Sequence, residues 1–144
     1  MNSLDNRNRI GVTLLVLRVT VFLVMLIWTI DKFVEPQHAS KIMEHFYFIK
    51  GVSNSMIYII AVIELAVLGA FIAGFAKEWT YGLVLLFQAV STLSSYNQYL
   101  HPLVAPNLLF FAAWPMLGAC FTLYYLRDLD TLLTLGSPSR SSTH

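Results

Sequence analysis

Four long apolar segments dominate this chain of 144 residues. They cover residues 10–30, 55–75, 79–95 and 107–126. A helix of about twenty residues spans the roughly 30 Å hydrocarbon core of a bilayer. It also satisfies its backbone hydrogen bonds internally, as a bilayer requires. The segments therefore predict an all-α fold: an integral membrane, antiparallel four-helix bundle.

The composition also favours a lipid environment. Hydrophobic residues make up 57% of the chain and charged residues 12%, and the mean hydropathy is +0.66. A small soluble domain with this composition would expose large apolar patches to water. The lipid bilayer is therefore a predicted partner. The formal charge is only +1, and no basic cluster is present to bind phosphates, so nucleic acid is not a predicted partner.

The length of the chain predicts a single domain. Residues 1–130 form the predicted four-span membrane domain. Residues 131–144 form a short C-terminal tail, rich in serine, that is predicted to be disordered.

The third and fourth segments depart from uniform apolar character. Gln88, Ser91 and Thr92 dilute the third segment, which makes it the weakest of the four. Pro115 lies near the middle of the fourth. Because proline has no N–H and its ring clashes with the preceding turn, it predicts a kink there.

The longest connection joins the first two segments and has helical periodicity. Pro36 suits the first turn of a helix. Ile42, Met43, Phe46 and Ile49 would share one face of that helix. This pattern predicts a short amphipathic helix on the membrane surface between the first two spans.

The distribution of Lys and Arg predicts the orientation in the cell (inner) membrane. With four spans, both termini and the turn at Lys77 lie on one side. That side holds five basic residues and the opposite side three. We therefore predict a multi-pass protein whose termini are both cytoplasmic. The five are Arg7, Arg9, Lys77, Arg127 and Arg140, and the three are Lys32, Lys41 and Lys50.

Two charged residues lie deep inside the first two apolar segments. Arg18 is in the first and Glu64 in the second. A charge at this depth costs about 3 kcal/mol, so it normally faces the protein interior and has a partner. Counting helix rise places the two at similar depths, which predicts an Arg18–Glu64 pair. The pair would either fix helix packing or form a polar site for protons, a quinone headgroup or another ligand.

Asp31 and Lys32 follow at the outer end of the first segment. Arg18, Met25 and Lys32 recur every seven residues and share a helix face, so Lys32 would lie above the groove that holds Arg18. The favoured interpretation of Asp31 and Lys32 is that they extend to the membrane interface.

Other chemistry has weak support. Glu35, His38, Glu44 and His45 crowd the predicted surface helix, but polar residues on such a helix have the same pattern, so no metal site is predicted. Whether Glu35, His38 and His45 bind metal stays open. No histidine lies within a span, and nucleophile, P-loop and dinucleotide motifs are absent. No catalytic residue is therefore predicted, and no cofactor is evident.

Two stretches resemble the DoxX-like family of small four-span membrane proteins. LLVLRVTVFLVMLIWTIDKF resembles the family's first span, with Arg18 and Lys32 at its basic positions. IIAVIELAVLGAFIAGF resembles its second span, with Glu64, Gly69 and Gly74 at the glutamate and glycine positions. The resemblance covers roughly residues 10–126. It implies an accessory or redox-associated membrane protein.

The predicted function is that of an inner-membrane accessory protein, redox-associated and acting with a membrane or periplasmic protein partner. The alternative is a quinone-linked oxidoreductase component, in which Glu64 relays a proton and Arg18 or Lys32 polarises a quinone carbonyl. A third interpretation, a transporter of protons or small solutes, has less support because no internal repeat is evident.

Overall fold

The computed structural model describes residues 2–135, and within that range every regular element is helical. The all-α prediction is therefore confirmed. The helices are α1 (Ser3–Val34), α2 (Pro36–Tyr47), α3 (Asn54–Ile72), α4 (Lys77–Ser94), α5 (Tyr96–Leu100) and α6 (Ala113–Tyr125). Two 3-10 segments, Asn107–Ala112 and Arg127–Leu129, flank α6.

Three helical stretches of the described chain are long and apolar enough to cross a membrane, judged by length and composition. They are α1, α3 and the combined stretch Asn107–Tyr125. The three correspond to the first, second and fourth apolar segments of the sequence. The third segment forms α4, whose buried face carries Gln88 and Thr92.

The short helix α2 lies where the sequence predicted one, between the first two apolar segments. Pro36 occupies its first turn, where a missing N–H costs no helical hydrogen bond. Ala39 is buried and packs with Val52 and Ile57 at the start of α3. The helix ends at Tyr47, so Ile49 lies beyond the predicted apolar face and is exposed.

Four helices close into a ring: α1 contacts α3 and α6, and α4 contacts the same two. Side chains from all four fill the centre, and the fully buried apolar ones are Leu14, Val21, Leu68, Phe71, Val84, Cys120 and Leu123. At the fourth segment, the helix changes from 3-10 to α at Ala113, two residues before Pro115. Pro115 therefore lies in the first turn of α6, where its lack of an N–H is tolerated.

The outer surface of the ring is more apolar than that of a water-soluble protein. Large apolar side chains cover the outside of the ring, including Ile27, Ile59 and Leu93, which are all more than half exposed. Arg18 and Asp130, in contrast, are 0% exposed. Fully buried charges need charged or hydrogen-bonding partners, and those partners define the candidate sites below.

The chain folds back over one end of the ring after α6. The backbone N–H of Leu135 donates to the carbonyl of Ala73 at 2.8 Å, which ties residues 131–135 to the end of α3. These residues belong to the tail that the sequence predicted to be disordered. The rest of that tail, residues 136–144, lies outside the described residues.

Candidate functional site

Arg18 is bound at one end of the ring by residues that follow α6. Its Nη1 donates to Asp130 Oδ2 at 3.2 Å and to the Tyr81 hydroxyl at 3.3 Å. Its Nη2 donates to the carbonyls of Leu132 at 2.6 Å and Leu133 at 3.1 Å. We call these five residues the Arg18 cluster. One guanidinium thus joins α1, α4 and the C-terminal segment.

A second layer of hydrogen bonds supports the Arg18 cluster. The Tyr81 hydroxyl donates to the same carboxylate oxygen of Asp130, at 2.5 Å. Lys77 Nζ donates to the backbone carbonyls of Asp130 and Arg127. Burial lowers the pKa of the Lys77 ammonium, and the Asp130 carboxylate opposes that shift. Together with Lys77, the Arg18 cluster therefore combines two cations, one carboxylate and several carbonyls that the chain itself supplies.

The predicted Arg18–Glu64 pair is wrong, because within residues 2–135 each charge pairs with a different residue. Arg18 pairs with Asp130, and Glu64 pairs with Lys32 at 2.8 Å. Along α1, Lys32 lies fourteen positions beyond Arg18, about 21 Å at 1.5 Å per residue. The two acidic partners are therefore at opposite ends of the same helix face.

Glu64 lies toward the other end of the ring, between α1 and its own helix α3. Its Oε2 accepts hydrogen bonds from Lys32 Nζ and, at 3.1 Å, from the Thr29 hydroxyl. The side chains of Lys32 and Glu64 are 19% and 22% exposed. Lys32 therefore reaches inward to a carboxylate, in contrast to its predicted extension to the interface. Asp31, its neighbour, instead bonds His38 on the exposed side at 2.7 Å.

A cavity of about 90 Å³ lies beside this ion pair, and we call it the Glu64 cavity. Its polar lining comes from α1, α3, α4 and α2. The polar residues are Thr29, Lys32, Glu64, Gln88, Ser91 and Tyr47, and the others are Met25, Trp28, Leu68 and Phe87. This concave, mixed surface combines a cavity with a pair of opposite charges.

Gln88 also lines the cavity, although its sequence position alone did not predict a site. It is 1% exposed, and its Oε1 has no hydrogen-bond partner within residues 2–135. Its Nε2 donates to the Thr92 hydroxyl at 3.0 Å and to the Ala113 carbonyl at 3.5 Å. A glutamine within an apolar segment was the sequence signal that could have indicated a buried polar site at this position.

A buried apolar layer separates the two polar regions. Val21, Phe71, Val84 and Leu123 are each at most 1% exposed and lie between the Arg18 cluster and the Glu64 cavity. A polar route along the centre of the ring would have to pass through these side chains. The two regions are therefore distinct sites.

Within residues 2–135, no three His, Cys, Asp or Glu side chains approach closely enough to hold a metal ion. Glu35 and His45 are exposed, and His38 bonds Asp31. Cys120 is a buried free thiol in the apolar core.

Comparisons with known protein families, with curated proteins and with solved structures find no match to this chain. The resemblance to the DoxX-like family therefore stays a prediction from the two stretches quoted above.

Proposed function

We propose that the protein is an integral membrane protein of four antiparallel spans, with α2 lying on the membrane surface. The observation that carries this proposal is the apolar outer surface of the ring, combined with the complete burial of Arg18 and Asp130. Lipid tails are a suitable environment for such an outer surface. Sodium carbonate extraction tests it: the protein should stay in the membrane pellet, and release into the supernatant would contradict the proposal.

Both termini are proposed to lie in the cytoplasm, on the side of the Arg18 cluster. Single cysteines at Ser3 and at Gln37, in a Cys120→Ala background, test this orientation. An impermeant thiol reagent applied to intact cells should label the Gln37 variant and leave the Ser3 variant unlabelled until the cells are lysed. The reverse labelling pattern would contradict the orientation.

Within the membrane, we propose an accessory role beside a membrane or periplasmic protein partner, in keeping with the redox association that the DoxX-like resemblance implies. The Arg18 cluster supports this proposal, because its charges are bound by the chain's own side chains and carbonyls. The Arg18 guanidinium and the Asp130 carboxylate therefore hold the helices and the C-terminal segment together and are not free to bind a substrate. Cross-linking in native membranes, followed by identification of the linked protein, tests the proposal.

One observation favours a quinone-linked oxidoreductase component as the second candidate. Lys32 and Glu64 stand 2.8 Å apart in a cavity, so one could polarise a carbonyl while the other relays a proton. The size of the cavity limits this candidate. Its volume of about 90 Å³ is below the roughly 150 Å³ of an engineered cavity that binds benzene. A quinone ring would require the helices to separate.

Glu64→Gln and Lys32→Met distinguish the two candidates, with exposed Glu78→Gln as the control. The accessory role predicts that membranes carrying each variant, at matched protein abundance, reduce quinone at the same rate as wild-type membranes. Loss of quinone reduction in the two cavity variants alone, with the control unaffected, would favour the oxidoreductase instead.

The third interpretation, a transporter, gains no support from the ring, because the apolar layer separates the Arg18 cluster from the Glu64 cavity.

A further inference from the structure

Gln88 carries an unmet hydrogen-bond requirement into the Glu64 cavity. The Thr92 hydroxyl donates its single proton to the backbone carbonyl of Gln88 at 2.7 Å, so it must accept from the side-chain amide of Gln88. This fixes Nε2 toward Thr92 and leaves Oε1 without a donor within residues 2–135. Leaving a buried acceptor without a donor carries a free-energy cost to the folded state. A donor supplied from outside the chain would remove this cost.

The size and lining of the cavity fit water as that donor. A single water needs about 10–15 Å³ of such space and two to four polar partners. The cavity offers about 90 Å³, which at about 30 Å³ of liquid volume per molecule has room for about three waters. Gln88, Lys32 and Glu64 all line it, and together they supply acceptors and a donor. The cationic and anionic groups balance, so a neutral occupant is favoured.

We propose that the Glu64 cavity binds a small water cluster that links Gln88 Oε1 to the Lys32–Glu64 pair and is reached only from the Lys32 end. Toward the Arg18 cluster, the apolar layer of Val21, Phe71 and Val84 excludes water. The titratable groups facing Glu64 are Lys32 on α1 and Tyr47 at the end of α2. Any solute or proton that reaches Glu64 thus arrives from the Lys32 side. The proposal rests on the membrane arrangement above, which carbonate extraction tests separately.

Radiolytic labelling of the detergent-solubilised protein tests the bound water, because radicals formed from ordered water oxidise adjacent side chains. Met25 lines the cavity and is 9% exposed, whereas Met116 packs outside the cavity and is more exposed. Wild-type Met25 should nevertheless be oxidised several-fold faster than Met116. Gln88→Leu should slow Met25 oxidation and leave Met116 unchanged. If Met25 in the wild type is oxidised no faster than Met116, the cavity is dry and the proposal fails.

Thiol labelling in membranes tests the single entrance. Ser91→Cys, in a Cys120→Ala background, places a nearly isosteric thiol in the cavity lining. The wild-type protein, in which Cys120 is buried in the apolar core, is the matched control. A small charged methanethiosulfonate should modify the Ser91→Cys protein from the Lys32 side only and should leave Cys120 unmodified from both sides. Modification of Cys120, or of the Ser91→Cys protein from the Arg18 side, would overturn the one-sided access.

Discussion

Arg18→Met is expected to lower the free energy of unfolding by about 3–5 kcal/mol, because it leaves Asp130 charged, buried and without its cation. Asp130 is 0% exposed. The carbonyls of Leu132 and Leu133 would lose their donors as well. Unfolding titrations with sodium dodecyl sulfate in mixed micelles measure the loss. Arg9→Met is the matched control. Its partner Asp5 is half exposed, so screening should keep the loss below about 1 kcal/mol.

Double variants identify the partner of Arg18. Combining Arg18→Met with Asp130→Leu removes both buried charges, and the double variant should be more stable than the sum of the single losses predicts. Combining Arg18→Met with Glu64→Leu should give additive losses, because Glu64 is bound at the other end of α1 by Lys32 and Thr29. Additive losses with Asp130 and coupled losses with Glu64 would contradict the structure and restore the pairing predicted from sequence.

Gly74→Ala is expected to destabilise the protein by about 2–5 kcal/mol, from left-handed backbone strain and overpacking together. Gly74 has a φ of 64°. A Cβ on it would lie 2.6 Å from Thr134 Cγ2 and 3.0 Å from Arg18 Nη1. The substitution therefore pushes the C-terminal segment, which contains Thr134, away from α3 and from Arg18. The same unfolding titration measures the effect.

Two other glycines separate the contributions to that loss. Gly51 has a φ of 71°, and no atom lies within 4 Å of the position that an alanine methyl would occupy there. Gly51→Ala should therefore cost only the strain of about 1–2 kcal/mol. Gly69 lies within α3 with open space around it. Gly69→Ala should therefore raise stability by up to about 1 kcal/mol, since alanine favours helix over glycine. Equal losses for Gly74→Ala and Gly51→Ala would show that the C-terminal segment does not pack at Gly74.

Helix positions and their buried faces were largely predictable from the sequence. Helical periodicity places Ile57, Ile60, Ala61, Leu68 and Phe71 on the face of α3 that carries Glu64, and all of them are buried except Ile60, which is partly buried. The short helix α2 began at Pro36, as its pattern indicated. Local periodicity and turn chemistry act over a few residues, so they are readable without knowledge of the neighbouring helices.

The partners of the buried charges were not predictable in the same way. The depth of each charge in the membrane was estimated by counting residues along its helix, and this estimate placed Arg18 and Glu64 within reach of each other. The actual partner of Arg18 comes from a segment that returns over the end of the ring. Asp130 lies four residues after the fourth apolar segment, at the same end of the bundle as Arg18. This position was the sequence signal that could have suggested the pair. Its burial depends on how residues 127–135 fold back, which no local pattern encodes.

The sequence alone determined the apolar segments, the helices they form, and the requirement that Arg18 and Glu64 face inward. These features depend on composition and periodicity, which are properties of each helix taken separately. Only the tertiary structure decided that Arg18 binds Asp130, that Lys32 turns inward to Glu64, and that Gln88 lines a cavity beside them. A buried charge requires a partner of opposite charge, but the sequence offers several acidic residues that could pair with Arg18. Helix rotation and the returning C-terminal segment select among them, because burial of a pair requires both side chains to meet with correct geometry.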